Sequence, residues 1–221
     1  MKYHISFDIE FLKNPYPGKL IVIEGNEGSG KSTQVERLAE ALREKDHKVF
    51  QTKEPSENPI GSFIREKILS GEIKVPPISI QYMYCADRAI HLEEIKDYLK
   101  NGHIVVCDRY FWSSVAYGIA DLNGDEDFYL LSLAILSPYH RFIKPDFTLY
   151  LEVSLEEAVR RINQSHKHKE IYDKKEKMEK IKKGYGSLIK RFPEEFVVID
   201  GEKSMEEVSR AILKKLEKKL K

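Results

Sequence analysis

The chain has 221 residues, with 37 Lys and Arg against 36 Asp and Glu and a formal net charge of +1. This length suits one large domain or two small ones, and a composition of 41% hydrophobic and 33% charged residues argues against a disordered chain. No apolar run approaches the roughly 20 residues that span a bilayer, and the balanced charge disfavours nucleic-acid binding through a general basic field. We therefore expect a globular protein with no membrane and no nucleic-acid partner.

The first 18 residues are predicted to be an N-terminal extension outside the main domain, which would cover residues 19–221. Residues 3–11 alternate apolar and polar side chains with the period of a strand. Asn14, Pro15, Pro17 and Gly18 then break that pattern. We expect an accessory strand, and a species-specific or artificial extension remains the alternative. The segment lacks the pattern of a signal peptide, so a cytoplasmic protein is expected.

Five short apolar segments alternate with segments of helical periodicity along the rest of the chain. The predicted strands cover residues 20–23, 49–50, 104–107, 147–151 and 196–200. The predicted helices cover residues 31–45, 60–70, 78–100, 112–120, 126–137, 155–163 and 204–221. This alternation is typical of an α/β fold, here a five-stranded parallel sheet with helices on both faces. Ligands of such sheets bind at the carboxyl ends of the strands.

A glycine-rich segment follows the first predicted strand. Residues 25–32 match the pattern G-x-x-x-x-G-K-[ST] between a strand and a helix, which is the context of a phosphate-binding loop. Glycines let backbone N–H groups turn towards a phosphate, and the helix N-terminus adds its dipole. Lys31 supplies a full charge, and the Ser32 hydroxyl can bind Mg²⁺. The predicted ATP-binding residues are Gly25, Asn26, Glu27, Gly28, Ser29, Gly30, Lys31, Ser32 and Thr33.

Asp108 and Arg109 follow the third strand, which normally lies beside the first strand in such folds. Asp108 is therefore predicted to help hold the metal, together with Ser32. The forked guanidinium of Arg109 suits a phosphate. A GTPase switch is disfavoured, because the sequence has no Asn-Lys-x-Asp guanine-reading motif.

Four linked motifs resemble those of the thymidylate kinase family. They cover residues 24–34, 52–65, 84–91 and 108–117, and the resemblance extends from about residue 19 to residue 199. It implies a P-loop kinase of the nucleoside monophosphate kinase type that transfers the γ-phosphoryl of ATP to dTMP, with Mg²⁺ as cofactor, a mobile lid at about 164–183 and a homodimer. The alternatives are another nucleotide or deoxynucleoside kinase on the same scaffold, for example one that also accepts dUMP, and a catalytically silent nucleotide-binding protein.

The resemblance also implies roles for residues on the phosphate side of the acceptor. Glu27 would contact the 3′-hydroxyl of the deoxyribose and help to position the acceptor. Arg65 and Arg109 would hold the monophosphate, and Glu54 would link the acceptor to the metal. The catalytic set expected from this resemblance is Lys31, Arg109, Asp108, Glu27 and Arg161.

On the base side, the resemblance implies that Tyr84 stacks on thymine and that Arg88 donates to a base carbonyl. Ser114 would line the base pocket, and Tyr117 would occupy the place of a ribose 2′-hydroxyl. From the residue alone, Arg88 would instead pair on the surface with a neighbouring acid of its own helix. Gly118 stands where the family commonly has Gln or another polar residue, so we expect weaker discrimination between thymine and uracil.

The predicted lid departs from the family in its cations. The phosphate loop carries no arginine, and none lies between Arg161 and Arg191. Lysine cannot fork across two phosphate oxygens, so it does not replace arginine conservatively. We expect Arg161 to meet the transition-state charge, and Arg160, Lys167 and Lys169 remain the alternatives.

Overall fold

A computed structural model describes residues 10–121, 135–164 and 171–217 of the chain. Its strands are β1 Lys19–Glu24, β2 Val49–Lys53, β3 Ile104–Asp108, β4 Phe147–Glu152 and β5 Val197–Asp200. Its α-helices are α1 Lys31–Arg43, α2 Pro59–Phe63, α3 Pro77–Lys100, α4 Phe111–Asp121, α5 Leu155–Gln164, α6 Ile171–Arg191 and α7 Met205–Glu217. No helix in this described part is long and apolar enough to cross a membrane.

The five strands form one parallel sheet in the order β2-β3-β1-β4-β5. β3 lies beside β1, with Ile23 opposite Asp108, so the ends of the two strands meet at the same edge. Successive residues of each strand point to opposite faces. Leu20 and Val22 therefore join one core with α3, α4 and α6, whereas Ile21 and Ile23 join a second core with α1 and α7. The predicted α/β architecture with helices on both faces is confirmed.

Some predicted segments are divided differently in the structure or lie partly outside its described residues. The predicted helix 60–70 is a short α-helix, α2, followed by a π-helical turn over Ile64–Ile68. Such turns are frequent at functional sites. The segment 164–183, predicted as lid, contains the end of α5 and the first part of α6, and its residues 165–170 lie outside the described residues. The predicted helix 126–137 also lies mostly outside them.

Residues 10–18 pack against the domain. Leu12 forms a parallel bridge with Ile143, and the Phe11 ring stacks on Phe111 with centroids 4.7 Å apart. The Asn14 side chain donates to Asp146 at 2.8 Å. The strand predicted over residues 3–11 falls almost entirely outside the described residues.

Candidate active site

The phosphate loop connects the buried strand β1 to α1. Gly28 and Gly30 both have left-handed backbones, with φ of 76° and 89°, which L side chains rarely adopt. A Cβ on Gly28 would also lie 2.5 Å from the Ala158 carbonyl oxygen. Gly30 caps α1 without a side-chain hydrogen bond, so the first N–H groups of that helix remain available for an anion.

Lys31 is buried at the start of α1. Its ammonium donates to the Asn26 backbone carbonyl at 2.7 Å. Burial, and then the neighbouring charge of Arg109, lower the pKa of Lys31 to about 7. An anionic phosphate in the loop would favour the charged form and raise this pKa.

Ser32 and Asp108 meet across the β1–β3 edge. The Ser32 hydroxyl donates to Asp108 Oδ2 at 2.5 Å, whereas the buried Asp108 Oδ1 has no hydrogen-bond partner among the described residues. Hydroxyl and carboxylate oxygens are the ligands that Mg²⁺ prefers. No cluster of three His, Cys, Asp or Glu side chains suited to a metal occurs in residues 10–121, 135–164 and 171–217. The pair therefore fits a Mg²⁺ that takes its remaining ligands from phosphates and water.

Arg109 has a left-handed backbone, with φ of 73°. This conformation is uncommon outside glycine and is typical of functional sites. Its guanidinium donates to the Gly25 carbonyl at 3.3 Å and to the Tyr117 hydroxyl at 2.8 Å. The strained backbone directs the Arg109 guanidinium across the base of the phosphate loop.

A cavity of about 480 Å³ lies between α3, α4 and α6, and we call it the acceptor cleft. Its lining includes seven of the predicted substrate or catalytic residues, namely Glu27, Glu54, Tyr84, Arg88, Arg109, Ser114 and Tyr117. Residues from all four motifs, which are distant from one another in the sequence, therefore meet in one cavity, as the resemblance implied.

Arg88 forms a buried ion pair with Glu54 in this cleft. Its Nε and Nη2 atoms both lie 2.5 Å from Glu54 Oε2, and both side chains are 3% exposed or less. Burial acts to lower the pKa of Arg88, but the Glu54 carboxylate outweighs it and the pKa is raised. Arg88 Nη1 donates to Ser114 Oγ at 3.0 Å. Arg88 is thus a charged donor in a fixed position, and the alternative that considered the residue alone, a surface pair with an acid of its own helix, is wrong.

Arg65 does not line the acceptor cleft. It lies on the π-helical turn, where its guanidinium donates to the backbone carbonyls of Pro55 and Ser56 and to Glu57 Oε2. The structure therefore does not bring Arg65 together with Arg109, although the loop that Arg65 holds includes the cleft residue Pro55.

A second cavity, of about 850 Å³, surrounds the phosphate loop, and we call it the donor cleft. Residues 27–34, Asp108 and Arg109 line it, together with Arg160 and Arg161 of α5. Arg161 donates to Glu157 at 2.6 Å, to the Gly201 carbonyl at 2.8 Å and to the Ser29 carbonyl at 3.5 Å. Arg161 is therefore held against the phosphate loop.

Glu24 was not singled out from the sequence as a site residue. Its buried carboxylate accepts from the Tyr110 N–H at 2.9 Å, from Ser113 at 2.6 Å and from Tyr185 at 2.7 Å. Burial raises its pKa, although these hydrogen bonds oppose the rise. Glu24 fixes the segment after β3 that carries Arg109. The sequence signal that could have indicated Glu24 is an acidic residue at the end of an otherwise apolar strand.

Gln81 of α3 is a second residue that the sequence did not indicate. It lines the acceptor cleft and is 6% exposed. Neither its amide nitrogen nor its amide oxygen has a hydrogen-bond partner in the described structure.

Comparison with known proteins agrees with the geometry. A sequence model of the family described as thymidylate kinase matches residues 23–212. The chain is 37% identical over 209 residues to a thymidylate kinase of Mesoplasma florum, with 89% of this chain and 96% of the relative covered. It is 39% identical over 195 residues to a probable thymidylate kinase of Methanocaldococcus jannaschii, with 87% and 93% covered.

Its fold resembles the solved structure of thymidylate kinase from Candida albicans, with a TM-score of 0.76, 26% identity and 91% and 92% of the two chains covered. These matches confirm the predicted fold class, the resemblance and the predicted thymidylate kinase activity. The chain belongs to the thymidylate kinase family.

Proposed function

We propose that ATP occupies the donor cleft, that dTMP occupies the acceptor cleft, and that the γ-phosphoryl passes between them where the clefts meet. The observation that carries this proposal is that Glu27 and Arg109 line both cavities. Two anionic nucleotides can approach end to end at that point because fixed positive groups lie beside them. Arg109 is there to neutralise phosphate charge on both sides.

The chain's own residues act by positioning and by electrostatics. Phosphoryl transfer needs little covalent chemistry from the protein. The loop N–H groups and Lys31 hold the ATP phosphates, while Arg109 holds the acceptor phosphate in line with them. Lys31 donates to the Asn26 carbonyl of the same loop, and a bound phosphate oxygen would replace that carbonyl as its acceptor. Arg65 joins the acceptor phosphate only if it leaves Glu57.

Ser32 and Asp108 are the residues that would hold Mg²⁺. Asp108 Oδ1 is the buried oxygen without a partner that supports this assignment. When bound, Mg²⁺ neutralises phosphate charge during the transfer. Asp108→Asn keeps the size of the side chain and should raise the Mg²⁺ concentration needed for the half-maximal rate, because a neutral amide binds Mg²⁺ more weakly than a carboxylate.

The base and sugar roles follow from the remaining lining residues. Tyr84 offers an aromatic face for thymine, and Arg88 and Ser114 offer polar groups to its carbonyls. The ring of Tyr117 is held by Arg109, whose guanidinium carbon lies 4.9 Å from the ring centroid. A ring fixed there leaves little room for a 2′-hydroxyl, which supports selection of deoxyribose. Glu27 is exposed at the junction and can accept from the 3′-hydroxyl.

Arg161 is the cation we propose for the transition-state charge on the ATP side. Two of its bonds hold it to Glu157 and to the Gly201 carbonyl, and hydrogen bonds from Arg160 and Arg161 lower the pKa of Glu157 to about 2. Arg161 is the better held of the two arginines, because its side chain is 25% exposed against 57% for Arg160. Lys167 and Lys169 lie outside the described residues.

We also propose a homodimer in the cytoplasm. Ile78, Tyr82 and Ile90 lie four or eight residues apart on α3, and each is at least 40% exposed. An exposed apolar stripe of this kind favours association with a second copy. Both substrates are intermediates of nucleotide metabolism, which supports the cytoplasmic assignment. Sedimentation of the purified chain tests the dimer, and a monomer at micromolar concentration would contradict it.

A steady-state assay with Mg·ATP and dTMP, dUMP, dCMP or thymidine tests the proposed function. We expect the highest kcat/KM with dTMP. A preference for thymidine would overturn the assignment of a monophosphate acceptor, and equal use of dUMP would favour the broader nucleotide kinase. Absence of ADP release with every acceptor would favour a catalytically silent nucleotide-binding protein.

A further inference from the structure

The buried amide of Gln81 needs a partner that the described chain does not supply. Its nitrogen and oxygen both lack a hydrogen bond, and the residue is 6% exposed. Buried polar groups in native proteins are nearly always paired, and an unpaired amide carries a large desolvation penalty. Gln81 lines the acceptor cleft together with Tyr84 and Arg88. A ligand in that cleft is therefore the natural partner of the amide.

We propose that Gln81 binds the imide edge of the acceptor's pyrimidine, so that it is a specificity-determining residue for this reaction. This inference rests on the proposed function of the acceptor cleft. An imide presents a carbonyl acceptor next to an N3–H donor. A carboxamide presents the complementary pair, because its oxygen accepts from N3–H while its nitrogen donates to the adjacent carbonyl.

The position of Gln81 explains how the pocket tolerates Gly118. A Cβ placed on Gly118 would lie 3.6 Å from the amide carbon of Gln81 and 2.3 Å from Ile135 Cδ1. A side chain at residue 118 would therefore require Ile135 to move, and its Cβ would be in ordinary van der Waals contact with the Gln81 amide. Gln81 of α3 therefore supplies an amide that residue 118 of α4, a glycine, does not have.

Two other polar residues of this part of the cleft already have partners in the described structure. Glu54 is paired with Arg88 and contacts His91 Nδ1 at 3.3 Å. Ser114 Oγ accepts from Arg88 and lies 2.9 Å from the Tyr139 hydroxyl. Gln81 Oε1 is therefore a neutral acceptor in this part of the cleft with its hydrogen-bonding capacity unused.

The proposed contact changes the expectation for thymine and uracil. These two bases share the same imide edge and differ only in the methyl group at C5. Gln81 therefore selects for an imide without distinguishing dTMP from dUMP. Because Arg88 can only donate, it disfavours cytosine, which has an amino group in place of one carbonyl.

The test combines Gln81→Leu with N3-methyl-dTMP, in which the N3–H donor is blocked. Gln81→Leu should lower kcat/KM for dTMP and for dUMP by the same factor, about tenfold or more, because a hydrogen-bonding group is lost. The KM for ATP should not change. N3-methylation should penalise the native protein, and this penalty should shrink in the variant, because both changes remove the same interaction.

Two controls make the result decisive. Gln51→Leu makes the same chemical change at an exposed residue of β2, outside the acceptor cleft, and should leave the kinetics as they are. Thermal unfolding without substrate should show Gln81→Leu to be no less stable than the native protein, because the removed amide has no partner. Gln81→Met provides a second variant of similar length if Gln81→Leu fails to fold.

An unchanged KM for dTMP in a folded variant would overturn the inference, as would an equal penalty from N3-methylation in native and variant proteins. A lower kcat/KM for dTMP alone, with that for dUMP unchanged, would also overturn it, because Gln81 would then contact the C5 side of the base. Failure of the native protein to phosphorylate any pyrimidine deoxynucleotide would instead contradict the proposed function itself.

Discussion

Arg88 Nε donates to Glu54 Oε2 at 2.5 Å, across 34 residues of sequence, and neither side chain is more than 3% exposed. The pair joins α3 to the residue that follows β2. The same guanidinium lies over the Tyr139 ring, 4.9 Å from its centroid. Because the guanidinium is buried, paired and packed in this way, its position is fixed. It therefore favours ligands whose carbonyl groups lie within reach of its N–H donors.

Arg88→Ala should impair use of dTMP far more than binding of ATP. The variant removes a donor from the acceptor cleft, whereas the donor cleft does not include residue 88. We expect the KM for dTMP to rise by at least about tenfold, since a charged hydrogen bond is lost. Steady-state kinetics with each substrate varied separately measure this. Equal losses for ATP and dTMP would contradict the role of Arg88 in reading the base.

Arg88→Ala should also lower the free energy of unfolding, because Glu54 would be left buried without its cation. Breaking a buried pair from one side costs on the order of 3 kcal/mol. The double variant with Glu54→Ala should recover part of that loss. Urea unfolding of the single and double variants measures the coupling between the two residues. Strictly additive losses would show that the pair contributes no interaction of its own.

Lys31→Met should abolish transfer while it stabilises the fold. Burial lowers the pKa of Lys31 from 10.5 to about 7, so protonation of Lys31 favours the unfolded chain. Removing the amine should raise the free energy of unfolding by on the order of 5 kcal/mol below pH 7. The gain should shrink as the pH rises from about 7 towards 10.5, because the unfolded chain then loses its advantage in binding the proton. A less stable variant at pH 6 would contradict this reasoning.

Binding of Mg·ATP should weaken as the pH rises above about 7, the pKa of Lys31 in the free site. The phosphates favour the ammonium form, so above that pH binding must take up a proton, and affinity falls by at most about tenfold per pH unit. Calorimetric titrations between pH 7 and pH 9, in buffers of different ionisation enthalpy, measure both the affinity and the proton uptake. Lys31→Met is the control, and it should bind weakly without this pH dependence.

Arg161→Ala should lower kcat strongly, by about 100-fold if the guanidinium meets charge in the transition state. Arg160→Ala is a matched control, because Arg160 is the preceding residue of α5 and bonds to the same Glu157. Arg161→Lys should restore little activity, since an ammonium cannot fork across two oxygens. Full activity in Arg161→Ala would transfer the role to Arg160 or, if Arg160→Ala is also fully active, to Lys167 or Lys169.

Phe11→Ala should destabilise the domain without changing the KM for either substrate. The Phe11 ring stacks on Phe111 at an interplanar angle of 7°, and loss of a half-buried aromatic ring costs about 2 kcal/mol. Leu12→Ala is the control on the neighbouring residue, which is 42% exposed, and it should change stability little. Equal effects of the two variants, measured by urea unfolding, would show that the stacking contributes nothing specific.

Much of the fold and part of the site could be predicted because the signals are local. An apolar run such as residues 20–23 favours a buried strand wherever it occurs, and the glycines of residues 25–30 permit a phosphate loop within a few residues of chain. The local signals did not give the ends of every helix. The π-helical turn at Ile64–Ile68 breaks a helix that periodicity alone predicts as continuous.

The sequence by itself determined the phosphate loop and the five strands, and its resemblance to a family predicted which residues bind the two nucleotides. Only the tertiary structure decided which side chains meet. It paired Arg88 with Glu54, turned Arg65 towards Glu57 and placed the amide of Gln81 beside Gly118. The reason is physical. Helix and strand periodicity is a property of neighbouring residues, whereas a contact between distant residues depends on how far apart the packed core holds their backbones.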